Sequence, residues 1–220
     1  MSPWLLLAAA YLWGAVPASY LAGRWSRGID LRKHGSGNLG ATNTFRVLGA
    51  KVAAPVMIFD VLKGALPVVL FTRWDASADW RWGLAYGAAA IVGHVFPVYM
   101  GFKGGKGVAT AAGVFLALAP LALGIALATW LVVLKATRMV SAASLSGAVA
   151  LALVLAVTPP PNGHPEIRWL GWAIAAFVIF SHRANVRRIL RGEEPRFGGK
   201  REPEATVGAA AFTADGEELG

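Results

Sequence analysis

Six runs almost without charge decide what this chain can fold into. Pro3 to Gly23, Trp82 to Phe102, Gly107 to Leu134 and Val140 to Val157 carry no Asp, Glu, Lys or Arg. Val52 to Thr72 carries only Asp60 and Lys63, and Ile167 to Ser181 only Arg168. A helix needs roughly 20 residues to cross a hydrocarbon core of about 30 Å, so these runs read as membrane spans. Hydrophobic residues make up 56% of the 220-residue chain, and the mean hydropathy is +0.53, beyond an ordinary soluble domain. The expected fold class is therefore all-α, a polytopic integral membrane protein. With no cysteine in the sequence, disulfide and thiolate chemistry are excluded.

The number and direction of the spans follow from charge. The first run has no basic residue before it, unlike a signal peptide, and is expected to be a retained span. Arg24, Arg27, Arg32 and Lys33 follow it, which places the N-terminus outside, since basic loops favour the cytoplasm. If Gly107 to Leu134 were one helix, Lys135, Arg138 and the segment "HRANVRRILRGEEPR" would all fall outside. Splitting it near Pro120 or Gly124 gives seven transmembrane helices and a cytoplasmic C-terminus. It also gathers 17 of the 21 basic residues on one side: six between residues 24 and 51, then Lys103, Lys106, Lys135 and Arg138, and seven from 183 to 201. The net charge of +9 then reads as a cytoplasmic membrane surface, not a nucleic-acid interface. Residues 1–197 are expected to form a single domain. Residues 198–220, rich in Gly, Ala and Glu, are expected to be a disordered tail.

Three segments on the cytoplasmic side have the wrong composition for plain loops, and a shared site is the economical reading. In "HGSGNLGATNTFRVLG", Gly35, Gly37 and Gly40 permit positive φ and close approach of a ligand. Such a backbone can aim N–H groups at an anion. Ser36 can donate to a phosphate oxygen, and Arg46 can clamp one in bidentate fashion. On a helix, Thr42 and Arg46 share a face, as do Asn43 and Arg46. The alternative is a flexible turn with a Ser or Asn helix cap.

In "GHVFPVYMGFKGGKGVAT", Lys103 and Lys106 flank Gly104 and Gly105, and an apolar helix begins after Gly107. Two cations, backbone donors and a helix N-terminus favour phosphate. The spacing of a Walker A loop is absent, which argues against an NTPase. The alternative makes the lysines topogenic and the glycines a re-entrant corner. His94 reads either as a substrate contact or as a helix–helix hydrogen-bonding residue. In "SHRANVRRILRGEEPRFG", His182 and Asn185 share a helical face, and His182 can act as base or hydrogen-bond donor. No metal site is expected, because no acidic residue is near His182 in sequence. Asp60 and Lys63, three apart inside a span, can pair with each other in a structural role.

The three segments, in this order and spacing, resemble the bacterial acyl-phosphate:glycerol-3-phosphate acyltransferase family. "GSGNLGATNTFR", "GHVFPVYMGFKGGKGVAT" and "HRANVRRILRGEE" carry the resemblance, with "FDVLKG" around Asp60 and Lys63. It implies a seven-span enzyme of the bacterial inner membrane with its site facing the cytoplasm. The implied reaction moves a fatty acyl group from acyl phosphate to the 1-hydroxyl of sn-glycerol 3-phosphate. The products are lysophosphatidic acid and inorganic phosphate, early in phospholipid biosynthesis, and no cofactor is implied. By motif position, Ser36, Arg46, His182 and Asn185 are the expected catalytic residues. Gly35, Gly37, Asn38, Gly40, Thr42, Asn43, His94, Lys103, Gly104, Gly105, Lys106 and Gly107 are expected on the substrates, with Lys103 or Lys106 on a phosphate. Glu194 is expected to be a structural anchor. The rival reading, a transporter for an organic phosphate, calls for polar residues through the full membrane depth and an inverted repeat, and the sequence shows neither.

Overall fold

The computed structural model describes residues 1–198, and every regular element among them is helical. The sequence reading of a disordered tail from 198 to 220 lies, apart from Gly198, outside the described residues.

The chain begins with α1 (Pro3–Gly14), opened by a proline in its first turn. The helix breaks before Pro17, and α2 (Ala18–Arg27) completes a 25-residue apolar stretch. Gly28, at φ +68°, ends α2 by donating its N–H to the Arg24 carbonyl. A single 3-10 turn (Leu31–Lys33) and an irregular loop lead to the short α3 (Ala41–Leu48). Gly49 turns the chain into α4 (Ala50–Leu66), which runs through a π turn at Pro67–Phe71 into α5 (Thr72–Trp74). Then follow α6 (Arg81–Val95), α7 (Val108–Leu118), α8 (Pro120–Thr137), α9 (Val140–Val157), α10 (Glu166–Ser181) and α11 (Arg183–Leu190).

Five stretches are long and apolar enough to cross a membrane: Pro3–Arg27, Ala50–Trp74, Arg81–Met100, Pro120–Thr137 and Val140–Val157. The long uncharged run does divide at Pro120, but unequally, into 11 residues of α7 and 18 of α8. At 1.5 Å per residue α7 rises only about 16 Å. Its start is delayed because the chain from Gly101 to Gly107 is pinned in a non-helical loop against the end of α6.

Small residues set the helix pairing, as expected where apolar burial cannot drive association in lipid. A side-chain carbon on Gly14 would stand 2.2 Å from the Ala90 carbonyl, and one on Gly93 the same distance from that of Tyr11. These contacts lock α1 onto α6. Gly64 against Thr110 and Gly113 against Val61 do the same for α4 and α7, at 2.0 and 1.9 Å. The fully buried Val114, Phe115, Leu155 and Ile167 fill the space between α7, α9 and α10. One end of the bundle gathers Met1, Trp74–Arg81 and Glu166: the Met1 ammonium donates to the Trp74 carbonyl, and Arg81 reaches Glu166 at 3.4 Å. The opposite end gathers the three polar segments.

Candidate active site

The first segment is a loop organised from beneath. Gly35 and Gly37 adopt φ of +60° and +69°, so Ser36 stands exposed between two left-handed residues. Asn43, on α3 and only 1% exposed, holds this loop with its whole amide. Its Oδ1 accepts the Ser36 N–H at 2.8 Å, while its Nδ2 donates to the carbonyls of Leu31 and His34 at 3.2 and 3.0 Å. Asn43 is thus committed to loop backbone, not to a ligand as the sequence suggests. The amino terminus of α3 begins at Gly40 with no side-chain cap, so its first N–H groups lack an intrahelical partner, and the Asn38 amide nitrogen packs against Gly40. Arg46 lies exposed one turn further along.

The second segment also differs from the sequence expectation. Gly104 donates its N–H to the Val95 carbonyl at 3.0 Å and Gly105 to that of His94 at 3.1 Å. Neither N–H can therefore serve an anion. These glycines are needed for close packing: a side-chain carbon on Gly105 would stand 2.1 Å from His94 Nε2 and 2.4 Å from the Leu39 carbonyl oxygen. The first two segments thus meet at Leu39 and Gly105. Gly107, at φ +78°, then starts α7. The two lysines part company here, with Lys103 exposed and Lys106 half-buried.

The third segment sits on the α10–α11 corner. His182 is 3% exposed, and its Nδ1 lies 2.8 Å from the Val178 carbonyl. A carbonyl partner puts the proton on Nδ1 and leaves Nε2 with a lone pair. Burial pushes the imidazole down to about 4, and the Lys106 charge adds to the effect, so the ring is neutral. Asn185, also buried, accepts from the Lys106 ammonium through Oδ1 and donates through Nδ2 to Glu194 Oε1 at 2.7 Å. Arg188 Nε donates to the other Glu194 oxygen at 2.7 Å. Burial opposes ionisation of Glu194, but the neighbouring Ser141 hydroxyl and the bonds from Asn185 and Arg188 hold its carboxyl below the usual range. Burial pushes the Lys106 ammonium down to about 8; Glu194 opposes this, while Arg188 and Arg46 push the same way.

Lys106, Arg46, His182, Asn185 and Glu194 therefore form one electrostatic neighbourhood drawn from all three segments. Asp60, Lys63 and His94 lie apart from it, buried behind the Gly104–Gly105 backbone. Sequence reasoning missed Phe197, whose ring stacks on Phe45 at 5.0 Å and whose N–H donates to the Arg138 carbonyl. The strap that ends there ties the Arg46 helix to the α8–α9 corner. A lone aromatic after a basic, glycine-containing stretch gives no periodic signal, so nothing in the sequence marks it.

The profile of the glycerol-3-phosphate acyltransferase family matches residues 4–192. The chain belongs to that family. Glycerol-3-phosphate acyltransferase of Synechococcus elongatus is 45% identical over 196 residues, covering 86% of this chain and 91% of the relative. That of Halalkalibacterium halodurans is 42% identical over 200 residues, covering 90% and 97%. A crystal structure of PlsY, an integral membrane glycerol 3-phosphate acyltransferase in its glycerol 3-phosphate form, is 37% identical. It superposes with a TM-score of 0.81, covering 89% of this chain and 96% of that one. The lysophosphatidic acid form of PlsY gives 0.79 at 36% identity, covering 89% and 95%. This member of the family is thus an integral membrane acyltransferase. The matched range contains the first two polar segments and the third as far as Gly192, so Glu194 and the strap to Phe197 lie beyond it.

Proposed function

We propose that the protein transfers a fatty acyl group from acyl phosphate to the 1-hydroxyl of glycerol 3-phosphate, releasing lysophosphatidic acid and inorganic phosphate for phospholipid synthesis. The observation that carries this is the meeting of Lys106 with Asn185, next to Arg46 and a neutral His182. Two anionic substrates must be held together, and Lys106, Arg46 and the open amino terminus of α3 supply positive charge and donors for both. Ser36, at the exposed tip of its loop, is a further donor to phosphate, with Asn38 and Thr42 beside it. Gly40 and Gly107 let the backbone approach the ligands.

Acyl phosphate is a mixed anhydride with a good leaving group, so direct attack needs no enzymic nucleophile. The 1-hydroxyl oxygen bonds to the acyl carbon, the bond from that carbon to the phosphate oxygen breaks, and phosphate leaves with the electron pair. An imidazole of pKa about 4 takes the hydroxyl proton less readily than a phosphate oxygen whose second pKa is about 6. The proton therefore passes to a substrate phosphate, and His182 Nε2 accepts a hydrogen bond that aims the hydroxyl. Asn185 and Glu194 hold Lys106 at its station.

The same reading places residues 1–197 as one domain crossing the bacterial inner membrane seven times, with the N-terminus outside and the site facing the cytoplasm. Its support is the charge pattern: Arg73, Arg81 and Arg168 sit towards the end opposite the basic segments. Purified protein supplied with palmitoyl phosphate is expected to release phosphate only when glycerol 3-phosphate is present. Lysophosphatidic acid should appear with it, and palmitoyl-CoA should give none. Equal turnover of the CoA ester would refute the proposed donor.

A further inference from the structure

Behind the Lys103–Gly107 loop, within the helices, lies a polar cluster that the acyl transfer does not use. Asp60 and Lys63 on α4 are 2% and 1% exposed, and their charged atoms pair at 2.8 Å. Lys63 also donates to the Val16 carbonyl, at the break between α1 and α2, at 3.1 Å. His94, on the last turn of α6 and 7% exposed, sets Nδ1 3.6 Å from the same Asp60 oxygen. A cavity of about 10 Å³ adjoins Asp60, Lys63, His94, Leu39 and Gly104, room for one water at most. These charges are shut away from bulk solvent.

The other edge of the His94 ring meets the substrate loop. Nε2 faces the Gly105 Cα so closely that no side chain fits between them, and the Leu39 carbonyl closes on that glycine from the other segment. The His94 carbonyl also receives the Gly105 N–H. Gly105 is therefore clamped by ring, carbonyl and hydrogen bond, and the next residue is Lys106. Three ionisable groups buried in a span carry a desolvation cost that an apolar side chain of similar volume would avoid. Their placement sets a carboxylate oxygen 3.6 Å from Nδ1 on one edge of the buried ring, while Nε2 packs on Gly105 at the other.

We infer that His94 is a positioning residue: packed against Gly105 and facing an Asp60 that Lys63 pairs, its ring seats the Gly104–Gly105 backbone so that Lys106 meets Asn185, and it thereby sets the affinity for glycerol 3-phosphate. This rests on the proposed phosphate role of Lys106. His94 acts through that lysine and touches neither substrate.

The test is steady-state kinetics on purified protein, with each substrate varied in turn, for wild type, His94→Ala, Lys106→Met and the double variant. Gel filtration and thermal unfolding report whether each is folded. His94→Ala is expected to raise KM for glycerol 3-phosphate about tenfold while kcat and the KM of the acyl donor stay within about twofold. His94→Asn, which keeps a nitrogen towards Asp60, should recover most of the loss. In the Lys106→Met background the His94 substitution should add little, since no ammonium remains to be misplaced. An unchanged KM in folded His94→Ala, a fall in kcat alone, or full additivity with Lys106→Met would each overturn the inference. If His94→Ala does not fold, His94→Leu and His94→Val, which offer Asp60 no nitrogen, go through the same cycle with the same criteria. These ratios are read with whichever acyl donor the wild type accepts. Use of acyl-CoA would therefore refute the proposed donor without touching the role of His94.

Discussion

The ammonium of Lys106 donates to Oδ1 of Asn185, a residue 79 positions further along the chain. That bond joins the second polar segment to the third and leaves the other end of the amide for Glu194. Asn185→Leu keeps the volume and removes both partners. A hydrogen bond to a charged group is worth about 1.5–3 kcal/mol. The variant should therefore lose roughly 10- to 100-fold in kcat/KM for glycerol 3-phosphate, measured by phosphate release. Loss of less than about twofold in a folded sample would show that Lys106 does not need this partner.

The pH profile carries two separable expectations. With its pKa lowered by burial to about 8, Lys106 is charged below pH 8 and loses that charge above it. The Lys106 contribution to phosphate binding is therefore full below pH 8, and kcat/KM for glycerol 3-phosphate should fall as pH rises through it. Lys106→Arg, charged throughout the range, should abolish that alkaline limb. His182, near 4, stays neutral from there upward, so His182→Gln should leave the profile between pH 5 and 7 unchanged in shape while lowering its height. Loss of an acid limb near 6.5 in that variant would make the histidine a titrating base.

How far the sequence discloses the site depends on what each residue contributes. Charge-free runs and basic flanks show the helices, because they follow one-dimensional rules of length and charge. The break at Pro120 is legible for the same reason, since proline cannot continue the hydrogen-bond ladder. The shortness of α7 is not, because it depends on Gly104 and Gly105 bonding back to Val95 and His94. Glycine in a sequence says that a side chain is absent; it does not say where the N–H points. The flanking symmetry of Lys103 and Lys106 likewise hides which faces Asn185. Asn43 reads as a polar residue available to substrate until the fold shows three backbone groups consuming its amide.

Phe197 stacks on Phe45, next to Arg46, and anchors the strap that begins at Glu194. Aromatic pairs contribute about 0.5–1.5 kcal/mol beyond burial. Phe197→Ala should lower the thermal midpoint modestly. It should also raise KM about 2- to 10-fold, as the Arg46 helix loses its tie to the α8–α9 corner. Phe197→Tyr, which preserves the ring, should behave as wild type. If the Tyr variant is as impaired as the Ala variant, ring stacking is not the cause.

Asn43→Asp is the sharper test of how the first segment is built. The change keeps the shape and the acceptor for the Ser36 N–H but removes both Nδ2 donors. A carboxylate oxygen then stands 3.2 and 3.0 Å from the carbonyls of Leu31 and His34, lone pair against lone pair. Each carbonyl keeps one backbone donor, Leu31 that of His34 and His34 that of Gly37, so the change costs two hydrogen bonds of about 0.5–1.5 kcal/mol each, and the repelling charge adds to that. The loop should therefore detach from α3 while the distant helices stay folded. Limited trypsin digestion reads this directly, because Arg32 and Lys33 lie at the foot of the loop. Cleavage there should become faster in Asn43→Asp than in wild type, with the rest of the chain still protected and activity reduced at least about 100-fold. Unchanged cleavage with activity lost would instead place the Asn43 side chain on a substrate, as its sequence position first suggests.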